Sequence, residues 1–141
     1  MKQPFPTKNQ LLQACRGEAV HDHPLLRWAR QLTDLHERKR TLHHDQHDDI
    51  DRERTELIHE INRWITAQLP PSHGAAMVHT ETVGSVIDRL AQLTSSAYAA
   101  LTSGCEWDLR DRWEQLAELA IGYEDLATDV TLGRRRLPGG H

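Results

Sequence analysis

The chain is poor in the residues that advertise special chemistry or a special environment. Its 141 residues include two cysteines and one phenylalanine, and its longest apolar runs are only a few residues. A membrane-spanning helix takes about 20 consecutive apolar residues, so no membrane segment is expected. Cys15 and Cys105 stand alone, outside any CxxC or CxxH context. That removes a cysteine zinc site and leaves two reduced thiols as the expectation. Basic residues are outnumbered, 17 Lys and Arg against 21 Asp and Glu, for a net charge of -4. Nucleic-acid binders usually carry a basic excess, so no nucleic-acid partner is expected. The N-terminus, MKQPFPTKNQ, lacks an apolar h-region, so no secretory signal is expected and a cytoplasmic location follows. There is no GxSxG, P-loop, GxGxxG or HExxH, so the common nucleophilic, phosphate-binding and zinc-protease signatures are absent. No cofactor is expected.

What the chain has instead is helical periodicity. Thr7 can cap a short helix, Lys8–Arg16, with Gly17 as its stop. Pro24 suits the first turn of a second helix, where its missing N–H costs nothing. No glycine or proline occurs from there to Leu69. Leu25, Trp28, Ala29, Leu32, Leu35 and Leu42 form one apolar stripe. Ile50, Leu57, Ile58, Ile61, Trp64, Ile65 and Leu69 form another. Between them His43–Asp49 carries no apolar residue, and Asp48 with Asp51 resembles a helix start. The preferred reading is two antiparallel helices. The alternative is one helix of roughly 65 Å, which only a partner subunit would cover.

After Pro70–Pro71, Thr80 or Thr82 opens a further helix with Val83, Val86, Ile87, Leu90, Leu93, Ala97 and Leu101 as its stripe. Asp108 then caps a last helix running through Leu109, Trp113, Leu116, Ala117, Ala120, Tyr123, Leu126, Ala127 and Val130. It ends near Gly133, where Arg134–Arg136 suit a helix C-terminus. No strand pattern is visible. The expectation is an all-α fold, an antiparallel bundle of four main helices plus a short N-terminal helix. Residues 1–141 would form a single domain, with 1–6 an extended arm and 137–141 a flexible tail. Trp28, Trp64 and Trp113 read as core, while Trp107 at a helix start has no clear place.

Within the helix after the proline pair, Glu81, Gly84, Ser85 and Asp88 fall at spacings of three, four and seven and are expected on one face. Gly84 and Ser85 would leave a shallow groove there for another helix or a ligand, with Asp88 paired to Arg54 or Arg63 of a neighbouring helix. The segment ETVGSVIDRLAQLTSSAYAAL carries Glu81, the Gly84–Ser85 pair and Ile87-Asp88-Arg89-Leu90. It resembles the signature of the DUF4254 family, bacterial helical proteins of unassigned function. DIDRERTELIHEINRWI, with Arg54, Glu56, Leu57, Ile58, Glu60, Ile61 and Asn62, is similar to that family's earlier helix. Val83 stands where many members have proline. The resemblance implies a helical bundle and no activity.

Metal-binding alternatives rest on histidine spacing. His36, His43 and His47 would align on an uninterrupted helix, with Asp48 or Asp51 able to complete a shell. Glu56 and His59 form a Glu-x-x-His pair, and no further copy occurs C-terminal to it; the one other, Glu18 and His21, lies before Pro24. Glu53 and Glu56 make an ExxE without a matching ExxD. No metal is expected, and the three aligned histidines are the candidates if one binds. The functional expectation is protein–protein or self-association, with a homodimer or another protein as partner. The alternative is a small-molecule or metal-binding bundle, possibly an enzyme, with Glu81, Asp88, Arg89 and Arg54 on its polar face.

Overall fold

A computed structural model describes residues 4–18, 22–69, 77–103 and 105–138. The Pro70–Pro71 break, Gly104 and the chain ends 1–3 and 139–141 lie outside the described residues. The fold is all-α: α1 (Lys8–Cys15), α2 (Pro24–Thr41), α3 (His47–Gln68), α4 (Val83–Ser103) and α5 (Glu106–Thr131) pack against one another. A short 3-10 turn, His44–Gln46, joins α2 to α3.

Local signals set most boundaries. Thr7 caps α1 by a full capping box: its Oγ1 accepts from the Gln10 N–H at 3.1 Å, and the Gln10 side chain accepts from the Thr7 N–H at 2.9 Å. The chain then turns through Gly17 at φ 83, a left-handed conformation that suits glycine. Pro24 occupies the first turn of α2, and His23 Nδ1 accepts from the Leu25 N–H. Arg38, Lys39 and Arg40 close α2, while Asp48 and Asp49 open α3. Both sets match the helix dipoles. Between them Leu42 is extended, so the stretch is two helices and not one long one. Lys39 near the end of α2 meets Asp51 near the start of α3 at 2.8 Å, so the pair folds back as a hairpin.

Thr82 caps α4, its Oγ1 accepting from the Ser85 N–H at 3.1 Å. Asp108 does not cap α5. That helix starts at Glu106 after Cys105, and Asp108 sits in its first turn, paired with Arg112 at 3.1 Å. Either carboxylate in a first turn is favoured by the dipole, so the charge pattern alone does not fix the starting residue. Gly133, at φ 76, ends the helix region.

One element was not expected. Met77–Val78 and Arg135–Arg136 form a two-residue parallel pair, β1 and β2, with His79 N–H donating to the Arg136 carbonyl at 2.7 Å. Two residues are too few for an alternation to register in sequence. Arg134 and Arg135 also both meet Asp129.

α4 lies at the centre, against α1, α2, α3 and α5. Only Asp88 and Arg89 are charged along its length. Val83, Val86, Ile87, Leu90 and Ala91 are buried on it, as are Thr94, Ser95 and Ala97. A helix apolar around most of its circumference belongs inside. Leu32 of α2, Ile61 and Ile65 of α3, and Leu116, Tyr123 and Leu126 of α5 complete the core around it. Trp28, Trp64 and Trp113 pack half-buried against that core. Phe5 of the expected arm joins the core, edge-on to Tyr123, and Leu137 of the expected tail packs against it. Leu101 and Ala117, expected in the stripes, are exposed. Among the described residues no helix is long and apolar enough to cross a membrane.

Candidate functional site

The most concentrated polar group inside the bundle is built on Asp88. This carboxylate is 6% exposed and joins three helices. His36 Nε2 of α2 lies 2.8 Å from its Oδ1. Arg54 of α3 grips it as a fork, Nη2 on Oδ2 at 2.8 Å and Nε on Oδ1 at 3.2 Å. Three of a carboxylate's roughly four acceptor positions are thereby filled. Arg54 Nη1 also donates to Asp51 at 2.7 Å, and Asp51 accepts from Lys39 at 2.8 Å. The result is a chain of alternating groups, His36, Asp88, Arg54, Asp51 and Lys39, running from the interior to the surface. Burial pushes the Asp88 carboxyl up. The hydrogen bonds and charges of His36 and Arg54 together outweigh that and hold it below the ordinary carboxylate range. The bond from Lys39, with that from Arg54, likewise lowers Asp51. Arg54, and not Arg63, is the pairing arginine; Arg63 reaches Glu60 on its own helix.

Gly84 explains how α3 and α4 come close enough for this. A Cβ at that position would stand 2.6 Å from the Ile58 carbonyl oxygen and 2.8 Å from Asn62 Oδ1. The bare backbone instead donates its N–H to Asn62 Oδ1 at 2.8 Å. Asp88, one turn further along α4, is carried against α3 by the same approach.

The other expected face residues go elsewhere. Glu81 precedes α4 and is not on the helix, so helical spacing does not place it. Its carboxylate meets Arg89 and accepts from Ser85 Oγ at 3.3 Å. The expected single face is therefore two: Gly84 and Asp88 turn toward α3, while Glu81, Ser85 and Arg89 form a separate outer group. Four-residue steps link 84 to 88 and 85 to 89, and the two rows are about 100° apart on the helix.

The three candidate histidines are also separated. His36 serves Asp88. His47 Nε2 lies 3.2 Å from the Leu42 carbonyl and its ring meets that of His44. His43 lies in the bend between α2 and the 3-10 turn. Among the described residues no group of three or more His, Cys, Asp or Glu side chains is placed to hold a metal ion. Burial pushes the Cys15 thiol up, which suppresses the reactive thiolate.

Sequence reasoning named His36 as a metal candidate and missed it as the partner of Asp88. It also missed Lys39 and Asp51, and Arg40, which donates to Ser95 Oγ at 2.9 Å. No local signal marks these pairs, because they join residues on different helices. The outer surface has its own features. A groove of about 460 Å³ between α2 and α3 is lined by Leu35 and Leu57 with Asp34, Glu53, Glu56, Glu60 and Arg38 around them. A second, of about 420 Å³, lies between α4 and α5. Trp107, in the first turn of α5, is 76% exposed, and Leu101, near the end of α4, is 53% exposed. Tyr98 is also exposed and stacks edge-on against Trp113 with centroids 5.5 Å apart.

No curated protein and no solved structure matches the chain. A family model does, over residues 33–138, a span that contains the whole ion chain from His36 to Asp88 and all of α3, α4 and α5. On that match the chain belongs to DUF4254, a family described as protein of unknown function.

Proposed function

We propose that this protein works by association, binding a second copy of itself, in a bacterial cytoplasm. The observation that carries the reading is the exposure of large apolar side chains on α4 and α5. Trp107, Leu101, Tyr98 and Ile121 all stand in solvent on those two helices. Exposed apolar surface of this kind marks interaction sites, and tryptophan and tyrosine are the side chains that most often carry binding energy. Cys15 and Cys105 form no disulfide among the described residues, which accords with a reducing compartment.

The alternative, a ligand face at Glu81, Asp88, Arg89 and Arg54, has less support. Asp88 is buried with its oxygens taken by His36 and Arg54, and Glu81 is occupied by Arg89 and Ser85. Such an arrangement ties helices together. Light scattering coupled to size exclusion tests the association reading. The expected mass is twice the 16.2 kDa of one chain, falling toward that value on dilution. A mass of one chain at every concentration overturns it.

A further inference from the structure

The face and geometry of that association can be named, resting on the reading of the protein as self-associating. We propose that two copies join through the groove between α4 and α5, so that Arg89 of each meets Glu118 of the partner subunit.

The groove has Arg89 and Gln92 on its α4 wall, Gln115 and Glu118 on its α5 wall, and Leu93 and Leu119 in between. The groove lining thus carries one cation, Arg89, on one wall and one anion, Glu118, on the other, with Glu81 beside Arg89 and Asp111 one turn before Gln115 at its margins. A twofold axis running along the groove sets α4 of one copy over α5 of the other at the same height. Positive then meets negative twice. An isologous interface must be complementary to itself in this way. The groove between α2 and α3 fails the same test. It carries Asp34, Glu53, Glu56 and Glu60 against Arg38, so a second copy would bring carboxylates onto carboxylates. Like charges facing across an interface select against a partner.

Gly122 gives an independent reason. It lies in α5 and is exposed, and a Cβ there would meet nothing within 4 Å. A glycine inside a helix is unfavourable against alanine, and no contact within the described residues accounts for it. Gln115, Glu118, Leu119 and Gly122 follow at three- and four-residue steps, so Gly122 continues the α5 wall of the groove. The contact of Tyr98 with Trp113 sets the register of the antiparallel pair. Counting back along both helices brings Arg89 level with Gly122 and one turn from Glu118. In the dimer a bare backbone at 122 leaves room for the stem of Arg89 from the partner subunit to cross toward Glu118. Arg89 already meets Glu81 within its own chain, and its five N–H donors allow it to hold both carboxylates.

α4 is 21 residues long, about 31 Å at 1.5 Å per residue. Two helices side by side offer a face at most about 20 Å wide, so about 600 Å² per copy and about 1,200 Å² in total is its upper bound, at the lower end for a stable interface. Trp107 lies at the head of the same α5 row, through Asp111 to Gln115, and extends the contact.

The dimer dissociation constant of the full chain, measured by analytical ultracentrifugation for charge-reversal and glycine variants, tests this face. Glu118→Arg alone and Arg89→Glu alone are each expected to weaken the dimer at least about tenfold. The double exchange R89E/E118R is expected to bind at least about threefold more tightly than either single exchange, short of the parent because position 89 also faces Glu81 in its own chain. Gly122→Leu is expected to weaken it by at least about tenfold while the isolated chain melts no lower than the parent. That pairing of effects is one a merely misfolded variant does not give. If Arg89→Glu unfolds the chain beside Glu81, Glu118→Arg and Gly122→Leu decide. A dimer indifferent to both overturns this face while leaving self-association standing. A parent chain that is monomeric throughout overturns the association reading itself.

Discussion

Replacing Gly84 with alanine adds one methyl group at the closest approach of two helices. The new Cβ would stand 2.6 Å from the Ile58 carbonyl oxygen, 2.8 Å from Asn62 Oδ1 and 3.0 Å from Ile58 Cγ2. Carbon and oxygen ordinarily approach to about 3.3–3.6 Å, and the nearest atom here is backbone, which cannot rotate away. α3 and α4 must part by roughly 0.7–1 Å. Overpacking of this kind costs about 1–3 kcal/mol. The hydrogen bond from the Gly84 N–H to Asn62 is stretched, for about 1 kcal/mol more. Against this, alanine is favoured over glycine in a helix by about 1 kcal/mol. The net expectation is a loss of about 1–3 kcal/mol, or about 2–12 °C in Tm at 2–4 °C per kcal/mol. Gly122→Ala is the matched control, because the same methyl group meets nothing there. In dilute solution it is expected to gain about 0.5–1 kcal/mol. Urea unfolding of both variants, read as a shift in midpoint at constant slope, makes the comparison. Equal effects at the two glycines would refute the argument, since it depends entirely on what each methyl group touches.

Two further outcomes follow from the buried polar contacts. Asp88→Asn leaves His36 and Arg54 without their anion. Breaking a buried pair from one side costs about 3–5 kcal/mol, and the lower end is expected because Arg54 keeps Asp51. The folded-state carboxyls of Asp88 and Asp51 are lowered, so their stabilisation is full above the unfolded carboxylate value of about 3.9. It is lost as pH falls through their lower folded values. Thermal melts between pH 2 and 7 should therefore fall more steeply below about pH 4 for the parent than for Asp88→Asn, and parallel curves would count against the ion chain. Tyr123→Phe removes the donor that holds the Pro6 carbonyl at 2.6 Å. The expected cost is about 1–3 kcal/mol for the orphaned acceptor, with faster hydrogen exchange at the first turn of α1 as the local readout; no change in either would show that Phe5 and the bond from the Lys8 N–H to Glu124 hold the N-terminal segment without it.

How much of this was legible differs from element to element. The stripes of α2 and α3 were readable because burial repeats with the helical period. Thr7 and Pro24 announced helix starts through bonds made within a few residues. Gly84 was readable as a point of close approach, and Arg54 as one of two partners for Asp88. The fate of Glu81 and Ser85 was not, because a residue before a helix is free of its spacing. His36 looked like a metal ligand while it was counted only with His43 and His47. It became a partner of Asp88 once α2 was laid against α4. Leu101 fitted the stripe of α4 perfectly well, yet burial depends on how far the neighbouring helices extend, which no local pattern encodes.

By itself the sequence determined the helices and the absence of long apolar runs, because these rest on propensity, capping and periodicity within a few turns. The tertiary structure alone decided which polar residues meet, that the expected face around Asp88 splits into an inner and an outer group, and that Tyr98, Leu101, Trp107 and Ile121 of α4 and α5 are left exposed. Those outcomes depend on the relative placement of helices joined by contacts as far apart in the chain as His36 and Asp88, and only packing fixes that placement.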